Sequence, residues 1–162
     1  MEREHVPMAH EYGLGIVPWS PLAQGLPAGK YSKTDRGETT GAGRIEAFAG
    51  STNPVFERFA HPSSRAWSVV DATAQIAKEL GRTSAEVALA WVIGRPGVTS
   101  TLLGATKLAQ LDRNLEALEL ALPDAARARL DSISALERVH PYMYFGPEFQ
   151  ALIHGGASVT SR

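Results

Sequence analysis

A glycine turn that opens a predicted helix carries the clearest phosphate-binding pattern of the chain. Gly104 follows an apolar run, and Thr106 and Lys107 stand where the helix begins. A helix N-terminus presents unpaired N–H groups and the positive end of the helix dipole, and both bind anions. Gln110 and Asn114 follow Thr106 at intervals of one and two helical turns, so they share a face with it. The pattern predicts a phosphate site, and a capped helix with solvated amides fits it equally well.

A second candidate site follows an earlier apolar run, residues 14–18. Parallel sheets bind ligands where loops leave the carboxyl ends of their strands. The loop here begins with Trp19 and Ser20, which offer a flat ring for stacking and a hydroxyl for hydrogen bonding. A tryptophan packed in the core beside a turn explains the same residues, and spacing alone leaves both interpretations open.

Two glycine-containing stretches fail as nucleotide-binding motifs. Residues 25–31 are one residue short of a P-loop, and Tyr31 occupies the position where Ser or Thr would bind Mg²⁺. Residues 13–15 lack the third glycine of a dinucleotide fingerprint, and no helix follows them. The histidines lack the spacing of a metal site, so we expect surface histidines and no bound metal: His5, His10, His61, His140 and His154.

Composition excludes several classes of function. Lys and Arg number 16 and Asp and Glu 17, so the net charge of −1 argues against nucleic acid or an acidic membrane as a partner. The absence of cysteine excludes disulfides and thiolate chemistry. No apolar run approaches the ~20 residues of a membrane span, and the first residues lack the apolar core of a signal peptide. We therefore expect a soluble, cytoplasmic chain of one domain.

The elements expected around the two candidate sites alternate between strands and helices. Short apolar runs predict strands at about 14–18 and 98–103. Residues 19–62 show no periodicity and predict a long loop, and residues 134–162 predict an irregular tail. Helical periodicity and capping residues predict helices at 64–80, 83–93, 107–118 and 125–133. Strands separated by helices pair in parallel, which indicates the α/β class.

The two loop motifs together resemble the aldo-keto reductase family. Residues 19–31 (WSPLAQGL…GKY) are similar to the family's loop after barrel strand seven. Residues 102–115 (LLGAT…QL…NL) are similar to its strand eight and the following helix. The version is that of the bacterial reductases and the potassium-channel β subunits. The resemblance covers nearly the whole chain, with residues 31–62 and the tail least constrained.

The resemblance implies the fold and the cofactor. The fold would be the C-terminal portion, the last two βα units, of a (β/α)₈ TIM barrel, and the cofactor NADPH. Trp19 would lie against the nicotinamide, and Arg44 would match an arginine of the cofactor-covering loop. The pyrophosphate side would be lined by Ser20, Pro21, Leu22, Ala23, Gln24 and Lys30. The 2′-phosphate and adenine would be held by Gly104, Thr106, Gln110 and Asn114, with Lys107 as an added cation.

The resemblance also implies a reaction, hydride transfer from NADPH to an aldehyde or ketone. A full family member has roughly 300 residues, and its catalytic Asp, Tyr, Lys and His lie on the first half of the barrel. No segment here matches those motifs, so no catalytic residue is assigned. Two alternatives are a nucleotide-binding or regulatory module without catalysis and a non-functional fragment. The expected partners are the carbonyl substrate and either the missing N-terminal half-barrel or a second copy.

Two structural and chemical expectations follow. The predicted strands should pair in parallel with Trp19 and Gly104 at the same end, because both motif loops leave the sheet in one direction. NADPH should be preferred to NADH, because Thr106 and Lys107 suit a 2′-phosphate. No acidic residue follows that turn to bind a ribose 2′-hydroxyl.

Overall fold

The computed structural model describes residues 1–33, 39–41 and 43–157, and helices dominate this part of the chain. An antiparallel strand pair, β1 (Tyr31–Lys33) and β2 (Thr39–Gly41), lies between the first two α-helices. Short 3-10 segments span Ala23–Ala28, Glu46–Phe48 and Tyr142–Phe145 in the described part of the chain, and non-helical Gln24 and Gly25 interrupt the first of them. The α-helices are α1 (His5–Glu11), α2 (Pro54–Ala60), α3 (Ser64–Leu80), α4 (Ser84–Ile93), α5 (Leu108–Glu116), α6 (Asp124–Ser134) and α7 (Pro147–Ile153).

The predicted helices form, with their ends set by capping residues. The Ser63 hydroxyl accepts the Ala66 N–H and starts α3, and Gly81 ends α3 in the left-handed conformation at φ 63°. Thr83 and Glu86 form the predicted capping box at the start of α4. None of the helices described here is long and apolar enough to span a bilayer.

Two apolar clusters hold these helices together. The larger one joins α3, α4 and α6 and contains Ile76, Ala77, Val87, Ala90, Leu122 and Leu130. The smaller one packs the Ala23–Ala28 helix and β1 against α3 and contains Leu26, Tyr31, Ile45, Trp67 and Val70. The second cluster matters for function, because it anchors the loop that follows the first predicted strand.

The two predicted strands differ from expectation. Segments 14–18 and 98–103 pair in parallel, but only through single bridges, Ile16 with Val98 and Trp19 with Leu102. The first bridge lies three residues before the second on one segment and four on the other, so the register slips between them. Pro18 contributes to the break, because it has no N–H to donate, although its carbonyl accepts the Leu102 N–H at 2.9 Å.

The long loop and the tail also contain more structure than predicted. Residues 19–62 include two 3-10 helices, β1, β2 and α2, while residues 34–38 and 42 lie outside the described ranges. The tail forms the Tyr142–Phe145 helix and α7, and its last five residues lie outside those ranges. The Tyr142 hydroxyl donates to Glu4, and the Arg3 guanidinium lies 5.0 Å from the Tyr142 ring centre. These contacts hold the tail against α1.

The described part of the chain does not form a closed barrel. Its antiparallel strand pair lies outside the two segments that were predicted as barrel strands. Few of the described residues are in strands, and helices account for most of the regular secondary structure.

Candidate functional site

The two motif loops begin side by side. Ile16 pairs with Val98 and Trp19 with Leu102, both in parallel. Gly104 follows two residues after Leu102, so it lies at the same end of the paired segments as Trp19. This confirms the prediction that both loops leave in one direction.

A groove of about 740 Å³ separates these loops, a volume within the range of roughly 300–1,000 Å³ that is typical of small-molecule sites. Most of the predicted site residues line it: Trp19, Ser20, Pro21, Leu22, Gln24, Lys30, Arg44, Gly104, Thr106, Gln110 and Asn114. Ala23 and Lys107 lie outside its lining. The groove also has walls that the sequence analysis did not assign to it: Gly25, Ala28, Gly43, Thr83, Ala85, Leu102, Leu103, Ala105 and Arg113.

The first wall of the groove is a strained turn. Ser20, Ala23 and Gln24 have φ values of 51°, 42° and 62°, and they account for all positive φ among the described non-glycine residues. Each such conformation costs about 1–3 kcal/mol and is typical of ligand-binding segments. Gln24 Nε2 donates to Ser20 Oγ at 3.4 Å, and Arg44 Nη1 donates to Gln24 Oε1 at 3.5 Å. The turn thus presents an amide and a guanidinium together.

Tyr31 holds this wall in place from the interior. Its side chain is buried, with the residue 5% exposed, and packs in the cluster with Trp67 of α3. Its hydroxyl accepts the Ile45 N–H at 3.1 Å and donates to the Gln24 carbonyl at 3.4 Å. Position 43 must be glycine, because a Cβ at Gly43 would overlap the Tyr31 hydroxyl. Tyr31 is therefore a structural residue that positions both Gln24 and the segment around Arg44.

The second wall is the start of α5. The Thr106 N–H and the Thr106 hydroxyl both donate to Gln110 Oε1, each at 3.2 Å. Lys107 is the N-cap, and its side chain makes no capping hydrogen bond. Gln110 therefore supplies the oxygen on which two donors converge. Thr106 and Gln110 both line the groove, together with Asn114. An oxygen of a bound anion could accept the same two hydrogen bonds.

The third wall is the start of α4, where Thr83 and Ala85 line the groove. Glu86 is 4% exposed and accepts from the Thr83 N–H at 2.7 Å and the Thr83 hydroxyl at 2.6 Å. Burial raises the pKa of Glu86, but hydrogen bonds from Thr83 and Arg82 outweigh it, so the pKa lies below its ordinary value of 4.5. Arg82 also approaches Glu116 of α5 at 3.8 Å, which connects two walls of the groove. The capping box was predicted from the sequence, but its residues were not predicted to belong to the site.

The charged side chains that line the groove are all cationic. Three cationic side chains line it, Lys30, Arg44 and Arg113, and its described lining contains no Asp, Glu, His or Tyr. The charged side chains that line this groove all attract an anion, and a guanidinium can bind a phosphate through two parallel hydrogen bonds. The lining therefore suits a phosphorylated ligand and offers no general acid of the carboxyl, imidazole or phenol type.

A second, smaller cavity of about 100 Å³ lies between α3, α4 and α6. Its walls are mainly apolar and include Val69, Ala88, Trp91 and Leu130. Of the predicted site residues, Pro21 alone is among those lining this cavity in the described part of the chain. It lacks the charged donors that gather in the larger groove, which remains the candidate site.

The histidines behave as predicted and are all exposed. His61 Nε2 lies 3.0 Å from Glu57 Oε1, and this hydrogen bond lowers the pKa of the Glu57 carboxyl. Among the residues with described positions, no three His, Cys, Asp or Glu side chains gather as a metal site would require.

Comparison with known proteins resolves which family these loops represent. The aldo/keto reductase family profile matches residues 1–135. The chain belongs to the aldo/keto reductase family. This confirms the resemblance carried by the two loop motifs and places the chain among oxidoreductases whose family fold is the TIM barrel.

Relatives from plants and bacteria agree with this assignment. A probable voltage-gated potassium channel subunit beta of Oryza sativa subsp. japonica is 34% identical over 148 residues, covering 87% of this chain and 40% of the relative. Uncharacterized oxidoreductase YrpG of Bacillus subtilis (strain 168) is 34% identical, with coverages of 82% and 36%. Protein tas of Escherichia coli (strain K12) is 36% identical, with coverages of 83% and 35%. The chain thus spans about two-fifths of the length of the curated relatives it matches.

Proposed function

We propose that this chain carries the cofactor-binding part of an aldo-keto reductase that uses NADPH to reduce aldehydes or ketones. The observation that supports this most directly is the groove with Lys30, Arg44 and Arg113 along its walls and no carboxylate in its described lining. A dinucleotide with a pyrophosphate and a ribose phosphate is a ligand with this charge pattern. The indole of Trp19, in a residue that is 73% exposed, adds an aromatic face in the same groove.

The chain's own residues would bind such a cofactor from two sides. Lys30 and Arg44 would neutralise phosphate charge along the strained turn. Thr106 would donate its N–H and its hydroxyl to a phosphate oxygen in place of Gln110 Oε1, which accepts both hydrogen bonds in this structure. The Trp19 ring would provide a surface against which a flat ring can stack. The bound cofactor would supply the hydride that the family's carbonyl reduction requires.

In the whole enzyme, this chain would bind the cofactor, and the remaining part of the barrel would supply the proton donor. The chain would form the last two βα units of the barrel, and the remaining strands would complete the fold around segments 14–18 and 98–103. The described lining of the groove lacks a suitable proton donor. The acid that protonates the substrate oxygen would therefore come from those remaining units.

Tryptophan fluorescence tests the nucleotide-binding proposal. Of the three tryptophans, Trp19 lines the groove, Trp67 is buried in the smaller cluster, and Trp91 lines the small cavity. Titration with NADPH should quench the fluorescence of the unaltered chain, and Trp19→Phe should remove most of that quenching. Trp91→Phe serves as the matched control and should leave the quenching in place, because Trp91 lies outside both the groove lining and the cluster that anchors its first wall.

Two results would contradict the proposal. One is a failure of NADPH to bind the folded chain by calorimetry. The other is tighter binding of NADH than of NADPH, which would count against a groove built for a phosphorylated ribose.

A further inference from the structure

We propose that Arg113 is the residue that reads the additional phosphate of a phosphorylated dinucleotide, and so sets the preference for it over the unphosphorylated form. This inference rests on the proposed function, because it assigns a specificity role within the same groove. The structure points to Arg113 rather than Lys107, the cation that sequence reasoning selected for this end.

Arg113 and Lys107 differ in where they stand relative to the groove. Lys107 lies outside the groove lining, whereas Arg113 lines the groove together with Thr106 and Gln110. Arg113 follows Gln110 by three residues, which places both on one face of α5. Helical side chains lean towards the N-terminus of their helix. A side chain at position 113 that leans in this way would bring its guanidinium towards the turn that carries Thr106.

The Arg113 side chain differs from several other arginine side chains in having no carboxylate partner among the described residues. Several other arginines are paired with carboxylates in the structure, among them Arg82, Arg95, Arg129 and Arg138. The Arg113 side chain makes no hydrogen bond or ion pair with any residue that the structure describes. An unpaired guanidinium in a groove without carboxylates gains a charge-assisted hydrogen bond only when an anion enters.

Donor geometry favours phosphate over a base as the group that Arg113 binds. At the same end of the groove, the Thr106 N–H and hydroxyl already converge on one oxygen, Gln110 Oε1. A guanidinium adds two parallel donors to this pair. Together, the Thr106 N–H, the Thr106 hydroxyl and two guanidinium N–H groups would match the several oxygens of a phosphate better than the edge of a purine. Stacking of the guanidinium on the base is the competing role, and the experiment below separates the two.

The test compares two ligands that differ by one phosphate. Calorimetric titration of the full chain with 2′,5′-ADP and with 5′-AMP gives two dissociation constants for each variant. Arg113→Gln should weaken 2′,5′-ADP binding by about tenfold or more, the usual effect of losing a charged hydrogen bond, and leave 5′-AMP within about twofold. Arg113→Lys should retain part of the preference, because the charge remains and the forked geometry is lost. Arg58→Gln on α2 is the matched control, since Arg58 is exposed and outside the groove lining.

A second measurement needs no substitution. Binding of 2′,5′-ADP to the unaltered chain should fall more steeply with added salt than binding of 5′-AMP, because an extra charge pair is screened. Circular dichroism of Arg113→Gln should match the unaltered chain, since the side chain is exposed.

The possible failures are distinguishable. Equal losses for both ligands in Arg113→Gln would assign the guanidinium to the base and overturn the phosphate role. Unchanged affinities would overturn any role in binding. Equal binding of the two ligands by the unaltered chain would overturn this proposal while leaving a nucleotide groove. Binding of neither ligand would overturn the proposed function itself.

Discussion

Tyr31 shows how one buried hydroxyl can shape a groove that it does not line. In the sequence, Tyr31 stands where a P-loop would need Ser or Thr, and it ends the loop that resembles the family's, but neither pattern gives it a structural role. In the fold its hydroxyl bridges the Gln24 carbonyl and the Ile45 N–H, so it connects the strained turn to the segment after β2. Sequence spacing could not reveal this role, because both contacts depend on how the chain folds back between Tyr31 and Ile45.

Tyr31→Phe should therefore destabilise the chain and weaken nucleotide binding. The substitution leaves the Ile45 N–H without its partner in a buried position, which typically costs about 1–3 kcal/mol. At roughly 2–4 °C per kcal/mol for a chain of this size, thermal unfolding should shift down by several degrees. Differential scanning calorimetry measures the shift. Tyr12→Phe is the matched control, because Tyr12 is largely exposed, and an equal shift in both variants would contradict the assigned role.

On α5 the predicted motif residues line the groove, but the cation expected beside them does not. The helical period from Thr106 correctly places Gln110 and Asn114 on the groove face. The same period also places Arg113 there, because seven residues complete nearly two turns, so the signal for Arg113 was present in the sequence. Lys107 stands about a quarter-turn away from that face, and the structure puts it outside the lining. Position around the helix therefore predicted which side chains line the groove better than closeness in sequence to the glycine turn did.

At the scale of elements, helices were predictable because their signals are local. Capping residues and apolar periodicity fix α3 and α4 without reference to distant parts of the chain. The pairing of segments 14–18 and 98–103 has the predicted direction, but its extent depends on register, and the slip at Pro18 reduces it to two bridges. The pair β1 and β2 was missed, since each strand has only three residues and no periodicity can be read over such a length.

The capping box of α4 should give the chain a measurable pH dependence. Hydrogen bonds from Thr83 and Arg82 hold the pKa of Glu86 below its ordinary value of 4.5. A lowered folded-state pKa means that the ionised carboxylate stabilises the fold above about pH 4.5. That stabilisation is lost as the pH falls through the folded-state pKa.

Glu86→Gln should then lower the free energy of unfolding at pH 7 by about 1 kcal/mol, the usual scale of a helix cap. The difference from the unaltered chain should narrow as the pH falls below about 4.5, and urea unfolding across pH 3–7 would measure it. Asp71→Asn on α3 provides the control, because Asp71 is exposed. A deficit in Glu86→Gln that stays constant or widens at low pH would argue against a carboxylate-based cap.

At the scale of the whole molecule, α5 has two unlike faces. Its polar face lines the groove, and its apolar face is exposed, with Leu108 74% and Leu115 50% accessible to solvent. Leu111 belongs to the same stripe, and Leu118, just after the end of α5, extends it. Exposed apolar surface of this kind usually marks an interface. In a family whose members close a barrel, such a stripe is expected where further elements pack.

The isolated chain should consequently self-associate. Sedimentation should show a mass above the 17.4 kDa of one chain, increasing with concentration. Leu115→Lys combined with Leu118→Lys should shift the distribution towards the monomer, because charges would be buried in any contact through this stripe. Val55→Lys on α2 removes a comparably exposed apolar residue elsewhere and should have little effect. A chain that is monomeric at all concentrations would rule out this expectation.

The isolated chain should also fail to reduce carbonyls, even where it binds NADPH. Hydride transfer leaves an alkoxide that needs a proton, and a positioned general acid typically contributes about 10²–10⁴-fold. The described lining of the groove offers no such acid, Tyr31 is buried in its structural role, and the Tyr142 hydroxyl donates to Glu4. NADPH oxidation with 4-nitrobenzaldehyde, measured on protein free of host reductases, should stay at background. Robust turnover that disappears in Tyr142→Phe or Tyr144→Phe, or in a Tyr31→Phe chain that still binds NADPH, would show that this tyrosine serves as the acid. The proposal that the proton donor comes from the remaining units of the barrel would then be wrong.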